Sequence, residues 1–395
     1  MMKDSAAWLG FPGARHIGDD ERRALGAVLD RRVLYRGGGP GEAVEVAEAE
    51  AELATRLGRR HALMLNSGTS ALVAAFVGLG LGPGDEVVIP SYGWLSVVTT
   101  LAHLGAVPVF APLTRGLVLD TSRLDRCLSS ATRAILPLHP CGQPCPLPAG
   151  PSEGPAIVED ACQALGSFDA HGRPMGGPGP LASVFSFQAY KIVSAGEGGA
   201  LVTDDEALYR RALAFHDAGL ERFAAGGSTQ VEPRGLGLNL RMSELAAALV
   251  RVQLGRLDAI IAAQRAQQSR LSEAFAPLVD AGLVELVEPA AGRHTNGTFV
   301  VVEAASASLA RALTTHLRER GIGALLANDR PYHALPGWRR YVRANTIPHR
   351  VVEPERSLAV LERTLLLEVN VELPEAALRG LGRATHDFRN QGALP

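Results

Sequence analysis

Between His61 and Asp204 the sequence alternates short apolar runs with helix-patterned stretches, and that alternation restricts the fold more than any other feature. HALMLN (His61–Asn66), DEVVIP (Asp85–Pro90), AVPVFA (Ala106–Ala111), RAILPL (Arg133–Leu138), PAIVED (Pro155–Asp160), SVFSF (Ser183–Phe187) and GALVTD (Gly199–Asp204) each read as a buried strand. SGTSALVAAFVGLGL and Trp94–Leu104 read as helices between strands, and Glu42–Leu57 carries apolar residues at helical spacing. Strands that are apolar on both faces need cover on both faces, and crossover helices supply it. The pattern predicts an α/β fold with a mostly parallel sheet.

A chain of 395 residues exceeds the range in which one core keeps growing, so two domains are expected. The strand-rich part predicts a large α/β domain over residues 1–250. Residues 251–395 carry TFVVVE (Thr298–Glu303), a helix near Leu309–Gly321 and a final helix around Ala377–Phe388, the pattern of a smaller α+β domain. Leu245–Arg270 reads as one long helix joining the two, and GGGPG (Gly37–Gly41) as a flexible turn.

A formal net charge of -2 offers no basic surface for nucleic acid. No apolar run approaches the roughly 20 residues of a membrane helix, and the apolar run at the N-terminus is too short for a secretory signal. A cytoplasmic enzyme is expected. Cys141 and Cys145 lie near His139 in HPCGQPC, but no second ligand cluster accompanies them, so the segment reads as a Pro-rich loop without a metal.

Four candidates follow one another along the α/β part. Gly68 and Thr69 open a helix after a strand in NSGTSAL (Asn66–Leu72), where free N–H groups and the helix dipole favour an anion; a plain capped helix has the same residues. Trp94 starts a helix after another strand, where its face can lie on a flat ring or pack in a core. Asp160 ends PAIVED, at the strand end where open α/β sheets collect ligands, and it equally suits a helix N-cap. Lys191 follows a strand in SFQAYKIVSAGEGG, in a sequence whose basic residues are almost all arginine; its apolar flanks favour the neutral amine that a Schiff base requires. Ser186, five residues earlier, can add a hydroxyl to the anion site. Together they make a phosphate cup, a ring stacker, an acid for a pyridine nitrogen and a Schiff-base lysine, the set that pyridoxal 5'-phosphate (PLP) demands.

These motifs resemble the DegT/DnrJ/EryC1/StrS aminotransferases, PLP enzymes of fold type I that act on sugars and cyclitols. The resemblance rests on NSGTSAL, PSYGW, LPLHPCGQP (Leu136–Pro144), VEDACQALG (Val158–Gly166), SFQAYKIVSAGEGGALVTDD (Ser186–Asp205) and GLGLNLRMSELAAAL (Gly235–Leu249). It runs from about Phe11 to about Arg256 and continues more weakly through Ile322–Trp338. It implies a sheet of the seven-stranded type in the large domain. It also implies that Lys191 binds the cofactor and shuttles a proton, that Asp160 pairs with the pyridine nitrogen, and that Gln163 lies near the ring or its hydroxyl. Gly68, Thr69 and Ser186 would hold the phosphate, and Trp94 falls at the ring-stacking position. Asn239 would reach the phosphate of a neighbouring subunit, which implies a homodimer with shared sites. Tyr35, Arg241, Tyr332 and His333 are candidate substrate contacts.

The run SFQ…K…AGEGG is most similar to the branch holding inosose aminotransferases and 3-amino-5-hydroxybenzoate synthases. The expected reaction moves an amino group from glutamine or glutamate to a keto-sugar or keto-cyclitol, in amino-sugar or antibiotic biosynthesis. Cys162 stands where alanine is frequent, and Pro140–Cys141 replaces a commonly aliphatic or aromatic pair. Two rivals remain: a PLP lyase, dehydratase or cyclase on the same scaffold, and a non-catalytic regulatory homologue. Relatives that dehydrate carry histidine in place of the lysine, and Lys191 stands against that branch. A dinucleotide-binding enzyme is set aside because no G-x-G-x-x-G follows an early strand.

Overall fold

A computed structural model of the chain describes Trp8 and residues 10–36, 44–147, 154–225, 228–288 and 294–391. The glycine run Gly37–Gly41 lies outside the described residues. The seven apolar runs form β1 (His61–Leu65), β2 (Glu86–Pro90), β3 (Val107–Ala111), β4 (Thr132–Ile135), β5 (Ala156–Asp160), β6 (Ala182–Ser186) and β7 (Gly199–Thr203). They pair in the order β1-β7-β6-β5-β4-β2-β3. β7 runs antiparallel to both of its neighbours, and the ladder from β6 to β3 is parallel. Every position of β2 and of β7 is buried, as a sheet covered on both faces requires.

After an N-terminal helix at Asp19–Arg31, the main helices are α1 (Glu45–Leu57), α2 (Gly68–Leu79), α3 (Ser96–His103), α4 (Glu206–His216), α5 (Glu244–Gly255), α6 (Leu257–Glu273), α7 (Ala307–Glu319), α8 (Leu335–Ala344) and α9 (Glu375–Asn390). Four start on a side-chain cap: Ser67, Asp205, Ser243 and Ser306 accept the N–H three residues on, at the heads of α2, α4, α5 and α7. Alternate strand residues feed the two faces of the sheet. Leu63, Leu65, Val87, Ile89, Val184 and Leu201 pack with Leu72, Phe76 and Leu101. Ala62, Met64, Phe185 and Val202 pack with Leu53, Val250 and Leu254. Each of these buried side chains larger than alanine contributes on the order of 1.5–3 kcal/mol.

The single helix expected over Leu245–Arg270 is two. Arg256 leaves helical geometry (φ -110, ψ 8) between α5 and α6. Its guanidinium meets His16 O at 3.0 Å, Asp20 at 3.3 Å and the carboxylate of Glu21. These contacts tie the junction to the N-terminal helix Asp19–Arg31, and Gly255 just before it resists a bend least.

The C-terminal third supplies β8 (Val284–Leu286), β9 (Phe299–Ala304), β10 (Ala324–Leu326), β11 (Arg350–Val351) and β12 (Thr364–Glu368). Four of them form an antiparallel sheet in the order β8-β9-β12-β10, with its own core that Trp8 enters from the N-terminal end of the chain. The remaining stretch returns to the first core. Leu335, Trp338 and Val342 of α8 are buried with Phe76, Ile89 and Phe110, and β11 adds an eighth strand in parallel beside β3.

Candidate active site

The candidate residues meet along the edge where the parallel strands end. Ser186 ends β6, and α2 starts against it. A Cβ built on Gly68 would lie 2.8 Å from Ser186 Cβ, 3.2 Å from Ser186 Oγ and 3.2 Å from Cys162 Sγ. Only glycine lets the helix start come this near. Ser67 Oγ accepts the Ser70 N–H and Ser67 O the Ala71 N–H, each at 3.0 Å. The Gly68 and Thr69 amides therefore precede the first bonded turn, and no described group accepts from them. Two free N–H groups at a helix start beside a hydroxyl make an anion site.

The turn after β6 places Lys191. Phe187 N–H donates to Gly198 O at 2.8 Å, Ala189 N–H to Gly196 O at 3.0 Å and Lys191 N–H to Gln188 O at 2.9 Å. The N-terminal segment holds it from outside. Gly13 N–H donates to Lys191 O at 2.8 Å, and the Phe11 ring stacks on Tyr190 with centroids 4.4 Å apart. The backbone at Lys191 is thus pinned, while its amine makes no ion pair among the described residues.

Asp160 ends β5, the strand next to β6, and its Oδ1 accepts the Cys162 N–H at 3.0 Å. Burial, then the adjacent Asp160 carboxylate, hold the Cys162 thiol well above its ordinary range, while the Lys191 charge pulls the other way. Asp160 thus touches Cys162, and the Lys191 charge acts on the same thiol. Gln163 uses its Oε1 to accept the Cys141 N–H at 2.6 Å and its main-chain carbonyl to accept Asn296 Nδ2 at 2.9 Å. Cys141 sits in the left-handed region (φ 57) and its thiol, mainly through burial, is pushed up to about 12. This thiol is a packing group, not a nucleophile.

Trp94 stands over the end of β2 with half of its surface open. Its ring meets His333 edge-on at 4.9 Å and Tyr332 at 6.5 Å. The preceding Gly93 packs on Leu138, the residue that bridges to Asp160. Burial, then the charges of Arg330 and Lys191, lower His333 to about 3, so it is neutral at any working pH. Tyr332 and His333 thus join the Lys191 neighbourhood. Tyr35 and Arg241 form a second patch, beyond the end of β1. Arg241 pairs with Asp217, and its guanidinium lies 5.0 Å from the Tyr35 ring centroid. Asn239 is exposed on the same strap, and no described contact joins it to Lys191, Asp160 or Ser186 of its own chain.

The model of the DegT/DnrJ/EryC1/StrS aminotransferase family matches residues 16–378. The chain belongs to that family. Among solved structures, this aminotransferase resembles the aminotransferase from Psychrobacter cryohalolentis at a TM-score of 0.83 and 22% identity, over 95% of this chain and 98% of that one. It resembles Helicobacter pylori PseC, an aminotransferase involved in the biosynthesis of pseudoaminic acid, at 0.78 and 21%, over 95% and 97%. It resembles S. venezuelae DesV, solved with a ketimine intermediate, at 0.74 and 27%, over 94% of each chain.

The enzyme is a PLP-dependent aminotransferase, and its residues fit the cofactor. The amides of Gly68 and Thr69, which have no acceptor among the described residues, suit a phosphate beside Ser186; Asp160 suits a ring nitrogen, and Lys191 offers an amine without an ion pair among the described residues. Gly68→Ala tests the cup. The added methyl must displace either Ser186 or the start of α2, so the dissociation constant for PLP should rise about 10–100-fold, read by titration of the apoenzyme. An unchanged constant would place the phosphate elsewhere.

Sequence reasoning missed Arg330 and Tyr92 in the Trp94 wall, and a buried network behind Asp160. Glu159 Oε1 accepts from His139 Nε2 at 2.8 Å and Arg173 Nη2 at 3.3 Å. Its Oε2 accepts the Gly176 N–H at 2.8 Å and Ser183 Oγ at 2.7 Å. His139 Nδ1 accepts the Cys145 N–H at 2.8 Å, so the histidine proton sits on Nε2. Strand alternation carries the signal: Glu159 and Asp160 are neighbours in β5 and must point to opposite faces.

Proposed function

We propose that the enzyme moves an amino group from glutamine or glutamate to a keto-sugar or keto-cyclitol in amino-sugar or secondary-metabolite biosynthesis, and works as a cytoplasmic homodimer with shared active sites. The observation that carries the reading is the convergence of Lys191, Asp160, Ser186 and the Gly68–Thr69 amides on one sheet edge. The part that PseC plays in pseudoaminic acid biosynthesis supports a sugar-like acceptor. The shared site is supported by the strap around Asn239, where Leu236 is 96% and Leu238 54% exposed. Apolar side chains left open beside a polar candidate are what a second subunit would cover.

Each residue then has a task. The Gly68 and Thr69 amides and the Ser186 hydroxyl bind the phosphate. Asp160 holds a proton on the ring nitrogen, Trp94 covers one ring face, and Gln163 lies beside the ring hydroxyl while it braces Cys141. When bound, PLP supplies an electron sink for the pair released at the donor carbon. Lys191 Nζ takes the donor Cα proton as general base and delivers it as general acid. It performs the same transfer in reverse when a ketone enters. Asn239 reaches the phosphate bound by the other subunit, and the Tyr35–Arg241 patch lines the approach to the site.

The test uses the holoenzyme. Glutamine should remove the visible absorbance of the lysine-bound cofactor, and one member of a panel of keto-cyclitols and keto-sugars should restore it with formation of an amine. Light scattering should give twice the chain mass of 41.6 kDa. Breakdown of the donor without amine transfer would replace this reading with a lyase.

A further inference from the structure

The loop between β10 and α8 is fastened to the end of β2. Gly93 N–H donates to His333 O at 2.9 Å, Leu335 N–H donates to Ser91 O at 3.0 Å, and Tyr92 bridges to Ala334. Gly337 closes the fastening, since a Cβ there would lie 1.8 Å from Pro331 O. In this junction Arg330 Nη1 donates to the hydroxyl of buried Tyr92 at 3.1 Å. Two residues further on, Trp94 forms the wall of the cleft.

Arg330 is part-buried, and among the described residues no carboxylate pairs with it. Four other buried or part-buried arginines do meet one: Arg36 pairs with Glu50, Arg59 with Asp204, Arg173 with Asp169, and Arg241 with Asp217. Arg265, also part-buried, instead gives two of its nitrogens to the Thr295 and Gly166 carbonyls, whereas the Arg330 guanidinium has, among the described residues, only the Tyr92 hydroxyl. A charge drawn out of water without a counter-ion is costly, and a ligand can remove that cost. The lysine and Arg330 share a neighbourhood, because both charges act on His333 and on Cys141. A guanidinium oriented by one nitrogen keeps the rest of its fork for two parallel bonds to a carboxylate.

We propose that Arg330, oriented by Tyr92, anchors the carboxylate of a substrate that reacts at Lys191, so that at least one of the exchanging molecules is selected for a carboxylate near its reacting carbon. This rests on the aminotransferase reading. The carboxylate is that of the amino donor or that of a carboxylated ketone acceptor, and the two sources give different results below.

Arg330→Gln keeps size and polarity and removes the charge. In single turnovers of the holoenzyme, its apparent dissociation constant for glutamine should rise about a hundredfold. That for 4-aminobutanamide, glutamine without its carboxylate, should stay within a few-fold. If the acceptor carries the group, glutamine is unaffected, and the pyridoxamine form loses affinity for 2-oxo acids but not for neutral keto-cyclitols. Calorimetry of glutarate binding to the resting holoenzyme gives a readout free of catalysis: the wild type binds, Arg330→Gln does not, and Arg330→Lys recovers part of the affinity. Equal effects on charged and neutral ligands, or no effect on either, would overturn the proposal. If the wild type reacts with no donor, the aminotransferase reading fails while glutarate binding still decides the role of Arg330.

Discussion

Lys191→Ala should lower kcat for amino transfer by about 10⁴-fold or more while the protein stays folded, because in the proposed mechanism this one residue is both the covalent partner of the cofactor and the general base. The loop at Lys191 is held by main-chain bonds, and the side chain makes no described ion pair, so its loss leaves the surrounding structure in place. The melting temperature should move by no more than a few degrees. The composition of the chain sharpens the test, since Lys3 and Lys191 are its only lysines. Borohydride reduction of the holoenzyme, followed by peptide mapping, should mark Lys191 in the wild type and nothing in the variant. A mark on Lys3, or a variant that keeps a hundredth of the activity, would refute the assignment.

Glu159→Ala should destabilise the fold by about 3–5 kcal/mol, the cost of opening a buried ionic network by removing one member. His139, Ser183, the Gly176 N–H and Arg173 all spend a donor on this carboxylate, and no water replaces it in a site that is fully buried. The same network sets an acid dependence. Burial by itself would raise the Glu159 pKa, but the hydrogen bond from His139, the Arg173 charge and the Ser183 hydroxyl outweigh it and hold the group at about 2. An unfolded glutamate titrates near 4.3. The folded value is the lower one, so Glu159 contributes its stability above about pH 4.3 and loses it as the pH falls towards 2, a contribution of about 3 kcal/mol. Urea unfolding at pH 6 and at pH 3 should show about half of this loss in the wild type and a smaller one in the alanine variant. Equal losses would move the acid dependence to other groups.

Local pattern alone placed much of this molecule. The strands were legible because each is a short run with no polar alternation, and α1, α2, α3, α7 and α9 because their apolar spacing repeats within a few residues. Lys191 stood out for a compositional reason, as one of two lysines in an arginine-rich chain. Gly68 and Ser186 could be paired by motif, and their contact follows from α2 starting at one strand end and β6 ending beside it.

What spacing could not reveal is anything decided by a partner far along the chain. Arg256 interrupts the helix expected over Leu245–Arg270 because it reaches Asp20 and Glu21, more than two hundred residues earlier. Arg330 and Tyr92 are separated by 238 positions, and neither residue is unusual in its own segment. The four candidate substrate residues divided into a Trp94–Tyr332–His333 wall and a Tyr35–Arg241 patch, a division that depends on which strand end each loop crosses.

The amino-acid order by itself determined most element types and singled out Lys191 and Asp160 as candidates, since these depend on periodicities, composition and strand ends only a few residues long. Tertiary structure alone decided which arginine near the lysine has no counter-ion among the described residues and which glutamate was buried with a full set of donors. Solvation and charge pairing are properties of the surroundings in space, and a linear pattern carries no record of them.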